Sequence, residues 1–114
     1  MKLAEIKDVL QCAVLTGEDG LSTDVERVVA SDGMSEILAF ARPGALMLTG
    51  LTNVQSVRTA DIANVRAIVY VRGKRPEDAA IKLAQKSNIP VLATKLGMFD
   101  VCGILREHGL KGEM

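Results

Sequence analysis

Three short, continuously apolar segments in the second half of the chain constrain the fold more than any other feature. They are ALMLTG, RAIVYVRG and PVLAT, and their apolar cores start at residues 45, 67 and 91, so the intervals are 22 and 24 residues. The segments with helical periodicity that follow them are 53–65, 76–88 and 97–109. Strands that are apolar throughout, rather than alternating, are typical of a parallel sheet covered on both faces. The pattern predicts three consecutive βα units.

The first half of the chain adds shorter elements to this sheet. Leu3, Ile6, Val9 and Leu10 lie on one face of a helix over 2–10. The remaining predicted elements are strands over 12–16 and 25–31 and a short helix over 35–41. We therefore predict one α/β domain over residues 1–114, with three layers (α/β/α) and a mainly parallel sheet.

Composition excludes several classes of protein. Aromatic residues make up 3% of the chain and the formal net charge is zero, which argues against recognition of nucleic acid by base stacking or by a basic surface. The N-terminal residues MKLAEIKDVL do not form a signal peptide, and no apolar run is long enough to span a membrane. We expect a cytoplasmic protein that contacts neither nucleic acid nor membrane, with Cys12 and Cys102 as free thiols.

The charges are divided unevenly between the two parts of the chain. Residues 1–40 carry eight acids and three bases (net −5), whereas residues 41–114 carry six acids and eleven bases (net +5). Two interpretations remain open: complementary solvated faces, or a basic region that presents an anion site. The same division would suit a self-complementary contact in a homodimer.

The carboxyl ends of parallel strands form the edge at which open α/β sheets bind ligands. Here that edge carries TGLTN (49–53), RGKR (72–75) and TKLG (94–97), and each leads into a helix N-terminus that favours an anion. The helix after Arg75 starts Pro-Glu-Asp, so acids in its own first turn already stabilise the positive end of its dipole. No acid lies near the start of the helix at Asn53. The predicted ligand-binding residues are Thr49, Gly50, Thr52, Asn53, Arg58, Arg72, Gly73, Thr94 and Lys95. The alternative is that Thr52 or Asn53 is an N-cap and that the threonines are ordinary strand ends.

No pattern of catalytic residues is present. TGLTN lacks the GxxxxGK[ST] pattern of a phosphate-binding P-loop, and His108, the single histidine, lies where a helix ends. Asp32 and Glu36 are expected to be acids at the start of a helix. We therefore predict no catalytic residue, no metal ligand and no cofactor.

Three stretches of the chain resemble the DRTGG domain family. They are MKLAEIKDVLQCAVLTGED (1–19), MSEILAFARPGALMLTGLTN (34–53) and AIVYVRGKRPEDAAIKLAQKSNIPVLATKLGMFDV (67–101). The resemblance implies a fold like that of the N-terminal domains of HPr kinase/phosphorylase and of Mur ligases. It implies no catalytic residues in the domain itself. The family takes its name from a signature of Asp-Arg followed by Thr-Gly-Gly. In this chain the Asp-Arg pair falls near Thr52-Asn53 and the Thr-Gly-Gly falls on Val71-Arg72-Gly73, so one glycine of the signature is kept.

Two functional hypotheses follow from these observations. The first is a non-catalytic regulatory module that binds a small anion, such as a nucleotide, at the strand edge. The alternative is a homodimeric interaction module that has no small ligand and docks on a protein partner. An enzyme comes third, because a partner domain would have to supply the missing catalytic groups.

Overall fold

In a computed structural model, which describes residues 1–113, the chain forms one six-stranded sheet with helices on both faces. The strands are β1 (Ala13–Thr16), β2 (Arg27–Ala30), β3 (Leu46–Thr49), β4 (Ala67–Tyr70), β5 (Val91–Ala93) and β6 (Lys111–Gly112). The helices are α1 (Leu3–Val9), α2 (Met34–Phe40), α3 (Val54–Ala63), α4 (Asp78–Lys86) and α5 (Met98–Glu107). The predicted three-layer α/β fold is confirmed.

The order of strands in the sheet is β1-β5-β4-β3-β2-β6. Every neighbouring pair is parallel except β1 and β5, which are antiparallel. Met47 of β3 pairs with Ile68 of β4, and Ile68 also pairs with Val91 of β5. This register aligns the carboxyl ends of the three central strands, as the sequence predicted.

Two apolar clusters lie on opposite faces of the sheet. Leu3 and Ile6 of α1 and Val101 and Leu105 of α5 cover one face, where they pack with Leu48 and Val69 of the central strands. Ile37 of α2, Val57 of α3 and Ala80 of α4 cover the other face with Met47 and Tyr70. All four residues of β3 and of β4 are buried, which explains why these strands are apolar throughout.

Strand β6 was not predicted from the sequence. It has two residues and pairs with the edge strand β2, where Lys111 lies opposite Arg27. Its two residues, Lys and Gly, form no apolar pattern, and its position depends on a neighbour that is distant in the chain. The Glu113 carboxylate lies 3.9 Å from Arg27 Nε and 3.7 Å from Arg42 Nε, so an ion cluster holds this end of the chain.

The turn after β1 depends on Gly17, which packs against Pro90, the residue before β5. Gly17 has φ of +82°, and a Cβ placed there would lie 2.5 Å from Pro90 Cα. We expect Gly17→Ala to lower the free energy of unfolding by about 2–4 kcal/mol, because both the left-handed backbone and the contact with Pro90 penalise a side chain. Gly112→Ala is the control, because Gly112 has an ordinary φ and open space where a Cβ would lie, and it should change stability by less than about 0.5 kcal/mol. Urea unfolding measures both variants, and equal losses would contradict this account.

Candidate functional site

The three loops at the carboxyl edge are joined by backbone hydrogen bonds. The N–H of Val71 donates to Thr49 O (3.0 Å), that of Arg72 to Leu96 O (2.7 Å) and that of Gly73 to Thr94 O (2.9 Å). Arg72 and Gly73 both have left-handed φ, +65° and +67°, and this tight reversal turns the loop after β4 toward the loop after β5. The edge is therefore one connected surface.

The Asp32 carboxylate occupies the corner after β3. Its Oδ1 accepts hydrogen bonds from the Gly50 N–H (2.6 Å) and the Thr49 hydroxyl (3.2 Å), and its Oδ2 accepts one from Arg72 Nη2 (3.0 Å). The Gly50 hydrogen bond, helped by Arg72 and Thr49, lowers the pKa of Asp32 below its ordinary value. Asp32 lies directly before Gly33, the N-cap of α2, as the sequence predicted, but its side chain binds the end of β3 rather than the helix. We call Asp32, Thr49, Gly50 and Arg72 the Asp32 cluster.

Gly50 is needed in this cluster because the Arg72 side chain crosses directly over it. A Cβ at Gly50 would collide with the Arg72 guanidinium. The absence of a side chain therefore lets Arg72 reach Asp32. The ion pair is partly open to solvent, with 43% of the Arg72 side chain and 48% of the Asp32 side chain exposed.

The start of α3 is capped by its own residues. Asn53 Oδ1 accepts a hydrogen bond from the Ser56 N–H (3.3 Å), so Asn53 is the N-cap that the alternative interpretation of the sequence described. The Thr52 carbonyl accepts the N–H of Glu77, the N-cap residue of α4 (3.0 Å). Arg58 is exposed on α3, and the ion pairs found within residues 1–113 do not include it.

Thr94 is buried and holds the loop after β5 against α1. Its hydroxyl donates to Leu10 O (2.7 Å) and accepts from the Leu96 N–H (3.2 Å). The N-cap of α5 is Gly97, which offers no side-chain cap. Lys95 is exposed between these two residues, so its ammonium group lies ahead of an uncapped helix N-terminus.

A cleft of about 390 Å³ opens between the loops after β4 and β5 and the segment that joins α1 to β1. Three cations line it, Lys74, Arg75 and Lys95, and none of its lining residues is acidic. Its other polar residues are Gln11, Gly73 and Thr94, and its apolar residues are Leu10, Ala13, Leu15, Ala93 and Leu96. We call it the basic cleft. Its positive potential and apolar wall suit an anion that also carries a flat or apolar group.

The structure divides the nine predicted ligand-binding residues into three groups. Gly73, Thr94 and Lys95 line the basic cleft, and Thr49, Gly50 and Arg72 belong to the Asp32 cluster. Thr52, Asn53 and Arg58 lie at the start of α3. Lys74 and Arg75 belong to the RGKR segment that was predicted at this edge but were not predicted as ligands, and neither Gln11 nor Asp32 was predicted there. The signal for Asp32 was available, because a residue two positions after a parallel strand reaches the same edge.

The chain shows few groups prepared for catalysis. Burial raises the pKa of Cys12 to about 11 and also raises the pKa of Cys102, so neither thiol is activated. The Nδ1 of His108 lies 2.8 Å from Ile104 O at the end of α5. Within residues 1–113 no three His, Cys, Asp or Glu side chains gather as a metal site, and no helix is long and apolar enough to cross a bilayer.

These features define a three-layer α/β domain whose strand edge carries a basic cleft. The chain belongs to the DRTGG domain family, whose model matches residues 5–108, so the resemblance seen in the sequence is confirmed. No curated protein sequence matches the chain.

A similar solved structure is that of the CBS and DRTGG domains of the regulatory region of Clostridium perfringens pyrophosphatase, complexed with its activator diadenosine tetraphosphate. The TM-score is 0.77 and the sequence identity is 22%. The match covers 91% of this chain and 45% of that one, so this chain spans less than half of that regulatory region. At this identity the comparison shows the shared fold.

The lowered pKa of Asp32 implies that part of the free energy of unfolding is lost at acid pH. The folded protein holds this carboxylate ionised below its ordinary pKa of 3.8, so its stabilisation is complete above that pH and is lost as the pH falls through the lowered value. We expect Asp32→Asn to lower the free energy of unfolding by about 1 kcal/mol at pH 7. This is the stabilisation by a charged hydrogen bond, reduced because the ion pair is partly exposed to solvent. The difference from wild type should shrink at pH 3 and below.

Urea unfolding across this pH range measures the effect. Asp61→Asn is the matched control, since Asp61 is an exposed acid on α3, and it should leave the acid limb of the profile unchanged. An Asp32→Asn profile parallel to that of wild type down to pH 2 would contradict the assignment.

Proposed function

We propose that this domain is a non-catalytic regulatory module that binds a small anionic ligand of the nucleotide class in the basic cleft. One observation carries the proposal: Lys74, Arg75 and Lys95 line a cleft of about 390 Å³ that no acidic residue lines. Like charges brought together at one cleft repel one another, so an anion that enters it is attracted by all three.

The cleft is a better place for the anion than the corner after β3. At that corner the Gly50 N–H, the Thr49 hydroxyl and the Arg72 guanidinium already bind the Asp32 carboxylate. An external anion there would have to displace this carboxylate or lie beside its negative charge. In the cleft, Lys74, Arg75 and Lys95 line the same space, and no carboxylate among the lining residues pairs with them.

The shape of the cleft indicates a ligand with two kinds of surface. Phosphate groups would lie against Lys74, Arg75 and Lys95, while Leu10, Leu15 and Leu96 would contact a base or sugar. The regulatory region of the similar pyrophosphatase was determined with a dinucleotide polyphosphate as its activator, which agrees with this class of ligand. A free-thiol protein that binds nucleotides also fits the cytoplasm, where we place it.

The proposal predicts which cations determine affinity. We expect Lys95→Ala to weaken binding of ATP or diadenosine tetraphosphate about two- to fivefold, since one exposed ion pair is worth up to about 1 kcal/mol. The Lys74→Ala/Lys95→Ala double variant should lose more than about tenfold, and higher salt should weaken wild-type binding. Isothermal titration calorimetry measures these affinities.

Two control variants locate the site. Lys86→Ala removes an exposed cation from the last turn of α4 and should leave affinity unchanged. Arg58→Ala tests the corner at the start of α3, and an effect larger than that of Lys95→Ala would move the anion there. Failure of the wild-type protein to bind either nucleotide would overturn the proposed function and favour the interaction module without a ligand.

A further inference from the structure

No element within residues 1–113 covers the exposed face of α5. Phe99 is 89% exposed, the largest value among the large apolar side chains that the structure describes as exposed. Phe99, Cys102, Gly103 and Arg106 form one wall of a groove of about 400 Å³ between α5 and the edge strands. Their spacing, i, i+3, i+4 and i+7, places them on one stripe of the helix.

The floor of the same groove is apolar. It consists of Val28 and Ala30 of β2 together with Leu105 and Leu110, and both β2 residues are only partly buried. Lys111, Gly112 and Glu113 line the remaining end of the groove. The two helices on this side of the sheet, α1 and α5, leave the β2 end incompletely covered, whereas three helices cover the other face. An aromatic side chain exposed beside a partly covered apolar floor is typical of an interaction surface.

The stripe is self-complementary under a two-fold rotation. Its midpoint falls between Cys102 and Gly103, so two copies of α5 packed antiparallel would place Phe99 of each opposite Arg106 of the other. An arginine over an aromatic ring is a favourable pair, and the acid Asp100 next to Phe99 would also lie near the second copy's Arg106. At the midpoint Gly103 is exposed with open space above its Cα, which lets the helices approach closely.

We propose that this face of α5 is the contact of a homodimer, in which Phe99 of each copy enters the groove of the other. The occupant is a second copy rather than another protein, because the aromatic end and the cationic end of the stripe match each other only when the stripe meets itself in reverse. A standard interface buries about 800 Å² on each partner, which is roughly an eighth of the 5976 Å² surface of this chain. This contact is mainly apolar, in contrast to the electrostatic contact between oppositely charged halves that the sequence offered.

Sedimentation velocity of the full chain over a concentration series tests the proposal. We expect a dimer whose dissociation constant rises at least about tenfold in Phe99→Asp, because one aromatic residue dominates the contact. Gly103→Leu should also weaken the dimer by separating the helices. Ile62→Asp is the matched control, since Ile62 is 72% exposed on α3 on the opposite face, and it should leave the dimer intact.

Cross-linking of the two copies near the two-fold axis tests the proposed contact directly, whatever a substitution does to the stability of the fold. Cys102 lies next to the proposed axis, so a short bismaleimide should join two copies of wild type and of Cys12→Ser, but not of Cys102→Ser or Phe99→Asp. Circular dichroism checks that each variant is folded. A protein that stays monomeric at about 100 µM, roughly a hundred times the dissociation constant of a micromolar dimer, would overturn the proposal. So would a Phe99→Asp dimer with the dissociation constant of wild type.

Discussion

The parallel pairing of β3, β4 and β5 is the constraint on which the rest of this structure depends. Because their register is aligned, the loops that follow these strands leave the sheet at one edge, and backbone hydrogen bonds then join those loops to each other. The pairing requires strands buried on both faces, which in turn requires helices on both sides. The basic cleft and the Asp32 cluster both exist because this edge brings residues that are far apart in the chain into contact.

The sequence was sufficient for the fold because the relevant signals are local. The apolar segments at 45, 67 and 91, with the helical periodicity between them, predict the three βα units. Because the connections between parallel strands are right-handed, the carboxyl ends of these strands then lie at a common edge of the sheet. Strand β6 escaped prediction because a two-residue edge strand has no periodicity of its own. The antiparallel pairing of β1 with β5 was likewise not encoded locally, since it depends on where α1 docks on the sheet.

The candidate site was only partly predictable, because residue type does not reveal what a side chain already binds. Thr94 has the chemistry of an anion ligand, yet its hydroxyl is used by Leu10 and Leu96. Asn53 similarly caps α3. Asp32 shows the reverse case: its position before a helix indicated a local role, while its carboxylate binds the corner after β3. Only the folded structure distinguishes side chains with satisfied hydrogen bonds from the cations that remain available in the cleft.

The two proposed sites are connected through one rigid element. Lys95 and Leu96 line the cleft, α5 begins two residues later at Met98, and Phe99 lies in the first turn of that helix. The loop that carries Lys95 is also bonded to the backbone of Arg72, whose guanidinium is held by Asp32, so the Asp32 cluster and the cleft share one loop. Val101 and Leu105 pack α5 into the core, and a helix fixed in this way responds as a unit rather than bending residue by residue. A ligand in the basic cleft would contact the loop that leads into α5, and a second copy would contact the exposed face of that helix, so both proposed partners would bear on one element of the fold.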